Sequence, residues 1–183
     1  MKKLIPIITV DEARDIKRIL SALKKEGISR AEITFRTACA EEAIRLAVRE
    51  FPDMEIGAGT VINGEQASAA INDGARFIVS PGLSEDVARV CNAKNIPYYP
   101  GCVTPTEIMK AISLGITVVK FFPASVYGGL DAMKALSAPF PQIKFIPTGG
   151  VNRDNLGEYL ACDKVYAVGG SFIVDEVMEK WAK

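Results

Sequence analysis

Eight short apolar runs, each followed by a segment of helical period, recur along this chain, and that alternation limits the possible folds more than any other feature. The runs are Leu4–Val10, Ala31–Phe35, Met54–Gly59, Arg76–Ser80, Pro97–Pro100, Thr117–Phe122, Lys144–Pro147 and Lys164–Val168. They are nearly continuous in apolar character rather than alternating, as expected of strands covered on both faces in a parallel sheet. Between them, apolar residues return every three or four positions. Ala13, Ile16, Ile19, Leu20 and Leu23 mark one helix face, and Ala40, Ala43, Ile44, Ala47 and Val48 another. Thr104-Pro105-Thr106-Glu107 predicts a helix start, with Thr104 as cap, Pro105 in the first turn and Glu107 reaching back. Gly27, Gly74 and Gly115 each fall between a helical segment and the next strand, where a left-handed cap is needed.

Repeated strand–helix units with right-handed crossovers build a parallel sheet. Eight of them predict closure into a compact (β/α)8 TIM barrel; the alternative is an open, flavodoxin-like sheet. The 183 residues are few beside the roughly 250 of a typical barrel, so loops must be tight, and one domain over residues 1–183 is expected. The first ten residues have a basic start and a short apolar stretch. Pro6 breaks that stretch and Asp11-Glu12 follow without a small-residue cleavage site, so a first strand is expected rather than a secretory leader. No apolar run approaches the roughly 20 residues that span a bilayer, and no membrane partner is expected. Cys39, Cys91, Cys102 and Cys162 are scattered, with no C-x-x-C pair, which points to reduced thiols in a cytoplasmic protein. Twenty-two basic residues balance 22 acidic ones with no long run of either sign, so the basic footprint of a nucleic-acid binder is missing.

There is no histidine. This removes the Ser-His-Asp and Cys-His arrangements and the commonest ligand of a catalytic transition metal. No metal site and no cofactor are expected; chemistry falls to Lys, Glu, Asp, Arg, Tyr, hydroxyls and backbone.

In a barrel, catalytic groups sit at the C-terminal ends of the strands. Lys120 lies in such a strand among apolar residues, Ile116-Thr-Val-Val-Lys-Phe-Phe-Pro-Ala124. Lysine is rarely fully buried without a reason. An amine in apolar surroundings loses its ammonium form more readily and becomes a nucleophile toward a carbonyl. The plainer reading is a lysine that snorkels or pairs with a carboxylate. Glu32, Thr34 and Arg36 share one strand face by the two-residue period. They read either as a proton-shuttling carboxylate beside a carboxylate-binding arginine or as a structural ion pair. Pro147-Thr-Gly-Gly-Val151 and Val168-Gly-Gly-Ser-Phe172 follow the seventh and eighth strands, the usual phosphate site of this fold. As ordinary glycine turns they would be unremarkable singly; paired at these two ends they indicate a phosphate. Gly57-Ala-Gly59-Thr60 lacks the third glycine of a dinucleotide fingerprint.

Seven motifs occur in register between about Ile5 and Ser171: Glu32-Ile-Thr-Phe-Arg-Thr37, Gly57-Ala-Gly-Thr60, Ser80-Pro-Gly82, Pro100-Gly101, Lys120-Phe-Phe-Pro-Ala124, Pro147-Thr-Gly-Gly150 and Gly169-Gly-Ser171. Together they resemble the 2-keto-3-deoxy-6-phosphogluconate / 2-keto-4-hydroxyglutarate aldolases, class I enzymes that work through a lysine Schiff base. The resemblance implies cleavage of a phosphorylated keto-acid to pyruvate and an aldehyde such as glyceraldehyde 3-phosphate. It implies Lys120 as Schiff-base lysine and Glu32 as proton shuttle. It assigns Arg36 and Thr60 to the substrate carboxylate, Pro81 and Phe122 to the pocket wall, and Thr148, Gly149, Gly150, Gly170 and Ser171 to the phosphate. A metal-free homotrimer is implied as well. The family has a helix before its first strand and a full helix after its eighth. Here shortened N- and C-terminal helices are expected, the latter over Val174–Trp181. Three rival readings remain: a 2-keto-3-deoxy-6-phosphogalactonate aldolase, a phosphate-binding isomerase or epimerase with Lys120 only an electrostatic stabiliser, and a non-enzymatic binding subunit.

Overall fold

The computed structural model describes residues 3–181. Strands and helices alternate through them: β1 (Leu4–Ile8), α1 (Asp15–Lys25), β2 (Arg30–Thr34), α2 (Ala40–Glu50), β3 (Glu55–Gly59), α3 (Gly64–Asn72), β4 (Ile78–Val79), α4 (Glu85–Lys94), β5 (Tyr98–Tyr99), α5 (Pro105–Ser113), β6 (Val118–Phe121), α6 (Gly129–Ser137), β7 (Lys144–Pro147), α7 (Leu156–Ala161), β8 (Val168–Gly170) and α8 (Phe172–Trp181). The anticipated helix faces are the ones that pack. Ile16, Ile19, Leu20 and Leu23 of α1 are buried, as are Ala40, Ala43, Ile44 and Ala47 of α2. Each Ile or Leu fully buried in this way contributes about 1.5–3 kcal/mol of transfer free energy. At the start of α5, Thr104 Oγ1 accepts from the Glu107 amide while Glu107 Oε2 accepts from the Thr104 amide at 2.9 Å, the reciprocal cap read in the sequence.

All strand pairs are parallel. Six strands form a curled sheet in the order β5-β4-β3-β2-β1-β8, and β6 pairs with β7 in a second sheet. Isolated parallel bridges Gly101↔Lys120, Phe145↔Val165 and Thr148↔Gly169 lie between the two sets. The main core fills the space between strands and helices. A smaller cluster of Ile5, Phe77, Val79, Tyr99, Ile146 and Ala167 occupies the inner face of the curl.

The eighth strand differs from expectation. Of Lys164–Val168, only Val168 belongs to β8. Val165 makes a single bridge to Phe145 and Gly169 another to Thr148, while the ladder itself forms with β1, Leu4 opposite Val168 and Ile5 opposite Gly169. Gly169 and Gly170, which read as a turn, are strand residues. A Cβ on Gly169 would stand 2.5 Å from Thr148 Oγ1, so glycine there permits a close approach of two strands. At the other boundary of α8, the helix begins at Phe172 rather than Val174 and runs ten residues, as long as α4. Among the described residues no helix precedes β1, and none is long and apolar enough to cross a membrane.

Candidate active site

Side chains two residues apart on one strand share a face, and this brings the chemistry together on the inner side of the sheet. On β2 the inner positions are Glu32 and Thr34; on β6 one is Lys120. Glu32 is 3% exposed and Lys120 4%. Lys120 Nζ stands 3.8 Å from Glu32 Oε1, an ion pair too long for a direct hydrogen bond, and 5.2 Å from the centre of the Phe122 ring. Burial pushes the Glu32 carboxyl above its ordinary range, against the pull of the Lys120 and Arg36 charges.

Glycine makes room for this pair. In β3, Gly57 lies opposite Glu32 and Gly59 opposite Thr34. A Cβ on Gly59 would overlap the Glu32 carboxylate, and one on Gly57 would overlap the ring of Phe77, the residue just before β4. The Gly-Ala-Gly run therefore lets the two neighbouring strands extend large side chains across β3.

Toward the strand ends lies a cavity of about 240 Å³. Arg36, Phe122, Thr148, Gly149, Gly150, Gly170 and Ser171, all expected at the site, line it. Ile7, Thr9, Val151 and Phe172 line it too, and sequence reasoning did not single them out. Thr9 had a signal: it continues the two-residue period of Ile5 and Ile7 just past β1, and it is polar. Its hydroxyl meets that of buried Thr34 at 2.8 Å. Lys120 and Glu32 are not part of the lining. Lys120 is two residues before Phe122 on β6, one side-chain layer deeper.

Two expected residues stand apart from the cavity. Thr60 is one hydrogen bond removed, its Oγ1 accepting from Arg36 Nε at 2.9 Å, and it holds a left-handed backbone conformation with φ 58°. Pro81 is exposed and outside the lining, and its backbone carbonyl packs against Gly101, the residue bridged to Lys120.

The glycine-rich end of the cavity suits an anion. Gly149 and Gly150 both have positive φ, 87° and 80°, and Asn155 Nδ2 donates to the Gly150 carbonyl at 3.1 Å, fixing the turn. Ser171 immediately precedes α8, and its carbonyl accepts from the Val174 and Asp175 amides. The earlier amides of that helix have no partner within it, and the helix dipole favours negative charge there. Among the described residues, two buried side-chain polar atoms, Glu32 Oε1 and Thr148 Oγ1, have no hydrogen-bond partner. Such groups are costly to leave unmade, and both stand where a bound molecule could supply the missing partner.

A shielded amine held beside a carboxylate at the C-terminal ends of parallel strands, with an anion cradle above it, defines a lyase of the Schiff-base aldolase class. The chain belongs to the KDPG and KHG aldolase family, whose model matches residues 1–183. It is 43% identical over 174 residues to the 2-dehydro-3-deoxy-phosphogluconate aldolase of Haemophilus influenzae, covering 95% of this chain and 82% of that protein. It is 39% identical to the KHG/KDPG aldolase of Escherichia coli, over 93% of this chain and 80% of that one. A solved structure of KDPG aldolase from Legionella pneumophila, with pyruvate captured at low pH as a covalent carbinolamine intermediate, matches with a TM-score of 0.92 at 40% identity. That match covers 98% of this chain and 88% of the other.

Proposed function

We propose that this chain is a class I aldolase that cleaves 2-keto-3-deoxy-6-phosphogluconate to pyruvate and glyceraldehyde 3-phosphate. The reading is carried by one observation, the buried amine–carboxylate pair 3.8 Å apart. Breaking a carbon–carbon bond next to a ketone needs somewhere for the electron pair to go. The Lys120 amine adds to the keto carbon, giving a carbinolamine, and loss of water leaves a protonated imine. Glu32 relays protons through both steps and then accepts the proton of the C4 hydroxyl. The C3–C4 bond breaks, its electrons pass into the imine to form an enamine, and the aldehyde leaves. Protonation at C3 and hydrolysis of the imine release pyruvate and regenerate the amine. General acid–base help from Glu32 is worth roughly 100- to 10,000-fold. The imine is the electron sink, so the cycle calls for no metal and no cofactor.

Arg36, oriented by Thr60, holds the pyruvyl carboxylate, and Phe122 forms the wall beside the imine. Pro81 acts at a distance, through Gly101 and the strand that carries Lys120. The phosphate lies against Thr148, Gly149, Gly150, Gly170 and Ser171 and the first amides of α8. The three bridges between the two sheets support a closed (β/α)8 barrel, and the continuous core supports a single domain over residues 1–183. The four free cysteines fit a cytoplasmic enzyme. Exposed Ile62, Met109, Val126 and Tyr127 fit burial in a homotrimer, so light scattering should give three times 19.7 kDa.

The test is borohydride reduction in the presence of pyruvate, followed by peptide mass spectrometry. A pyruvate-derived mass gain on Lys120 is expected; its absence leaves the non-covalent isomerase reading. Pyruvate release from 2-keto-3-deoxy-6-phosphogluconate, its galactonate epimer and 4-hydroxy-2-oxoglutarate then ranks the substrates, with the first expected to be fastest.

A further inference from the structure

Ser80 has no part in the chemistry described so far, yet it is 1% exposed and stands directly after β4, beside the site. Its Oγ donates to the Val61 carbonyl, while the Val61 amide donates to the Val79 carbonyl at 3.1 Å. Val61 is thus tied to the end of β4 through both of its backbone groups. The Ser80 amide donates in turn to the Tyr99 carbonyl at 3.2 Å, so the tie is anchored in the sheet.

The residue held in place by this tie is Thr60. A β-branched residue with φ 58° is a genuine outlier and persists only where its surroundings enforce it. On one side Phe35 N donates to the Gly59 carbonyl at 2.7 Å; on the other stands Val61. The conformation has a consequence at the cavity: Thr60 Oγ1 is 2.9 Å from Arg36 Nε, and Arg36 lines the cavity while Thr60 does not.

We propose that Ser80 is a positioning residue for carboxylate recognition. By clamping Val61 it keeps Thr60 left-handed, and Thr60 in turn holds the Arg36 guanidinium at the cavity wall. The inference rests on the reading of Arg36 as the group that binds the substrate carboxylate. Ser80 touches no substrate atom; it acts through two intervening residues.

The experiment measures borohydride trapping on Lys120 as a function of pyruvate concentration, and separately with acetone, a ketone that has no carboxylate. Ser80→Ala should raise the half-saturating pyruvate concentration roughly tenfold, the scale of one lost hydrogen bond to a charged group. Its limiting trapping rate and its rate with acetone should stay within about twofold of wild type. Thr60→Gly tolerates the left-handed backbone without the clamp but removes the hydroxyl, and should give the same rise. Adding Ser80→Ala to Thr60→Gly should then change nothing more, because both act through one chain. An unchanged half-saturating concentration in Ser80→Ala, an equal loss with acetone, or additive effects in the double variant would overturn the proposal. Arg36→Met separates the two layers. If it weakens pyruvate trapping while Ser80→Ala does not, the clamp alone is wrong. If Arg36→Met has no effect, the carboxylate assignment falls first. Should Ser80→Ala fail to fold, Ser80→Cys keeps a similar volume with a weaker donor and must show an intermediate rise; no rise refutes the clamp equally.

Discussion

Replacing Lys120 by methionine keeps an apolar stem of nearly the same length and deletes the terminal amine with its charge and nucleophile. Glu32 is left 3% exposed, with Oε1 lacking any hydrogen-bond partner. Unit charges 3.8 Å apart attract by about 4 kcal/mol at an effective dielectric near 20. Removing one partner of a buried pair costs about 3–5 kcal/mol. Both routes give a loss of about 4 kcal/mol near pH 8, or about 10 °C in melting temperature for a chain of this size. The sign with pH follows from burial. The folded carboxyl titrates above its ordinary value of 4.5, so folding is not penalised below that value and loses stability as pH rises through the folded one. Without Lys120 the upward shift grows, because its counter-charge is gone. Urea titrations of Lys120→Met should therefore show a large deficit near pH 8 that shrinks toward pH 5, and adding Glu32→Gln should remove that trend. The variant should also lose all pyruvate trapping. A Lys120→Met protein as stable as wild type at the higher pH, or with a deficit independent of pH, would refute the coupling of these two buried groups.

Glu32→Gln should lower kcat roughly 100- to 10,000-fold. It should also abolish the acidic limb of kcat/KM, whose wild-type midpoint burial sets above the ordinary 4.5; a pH–rate profile checks both. Gly59→Ala, whose Cβ would overlap the Glu32 carboxylate, should cost about 1–3 kcal/mol in a urea titration, with activity falling as Glu32 is displaced. Gly150→Ala forces a side chain onto φ 80° and into Ser125. It should raise KM for the phosphorylated substrate roughly tenfold while leaving KM for 4-hydroxy-2-oxoglutarate unchanged in steady-state assays. Burial pushes the Cys91 and Cys102 thiols up to about 12, so near pH 8 a thiol reagent on native protein should label only the half-buried Cys39 and Cys162, as peptide mapping would detect.

Much of this protein could be read locally. Ile16, Ile19, Leu20 and Leu23 return with helical period and are the buried face of α1; Thr104 and Glu107 are spaced for a reciprocal cap and form one. Lys120 and Glu32 were legible because a charged residue in an apolar strand needs a partner or a task. Each of these signals lies within a few residues of chain, where backbone periodicity and side-chain chemistry decide the outcome. Three features were not legible, and all depend on what lies across the sheet. β8 is displaced toward Gly169 and Gly170 because its ladder forms with Leu4, Ile5 and Pro6 of β1, a register that no window of sequence contains. Thr60 is aimed at Arg36 by a clamp on its neighbour Val61 from Ser80, 19 residues beyond Val61. Pro81 belongs to a motif of the site yet is exposed, its backbone carbonyl packed against Gly101, the residue bridged to Lys120. Local sequence sets the alternation of elements and supplies the residues able to do chemistry. Which of them meet follows from the assembled sheet, because distances between strands depend on register and on the space that glycines such as Gly57 and Gly59 leave open.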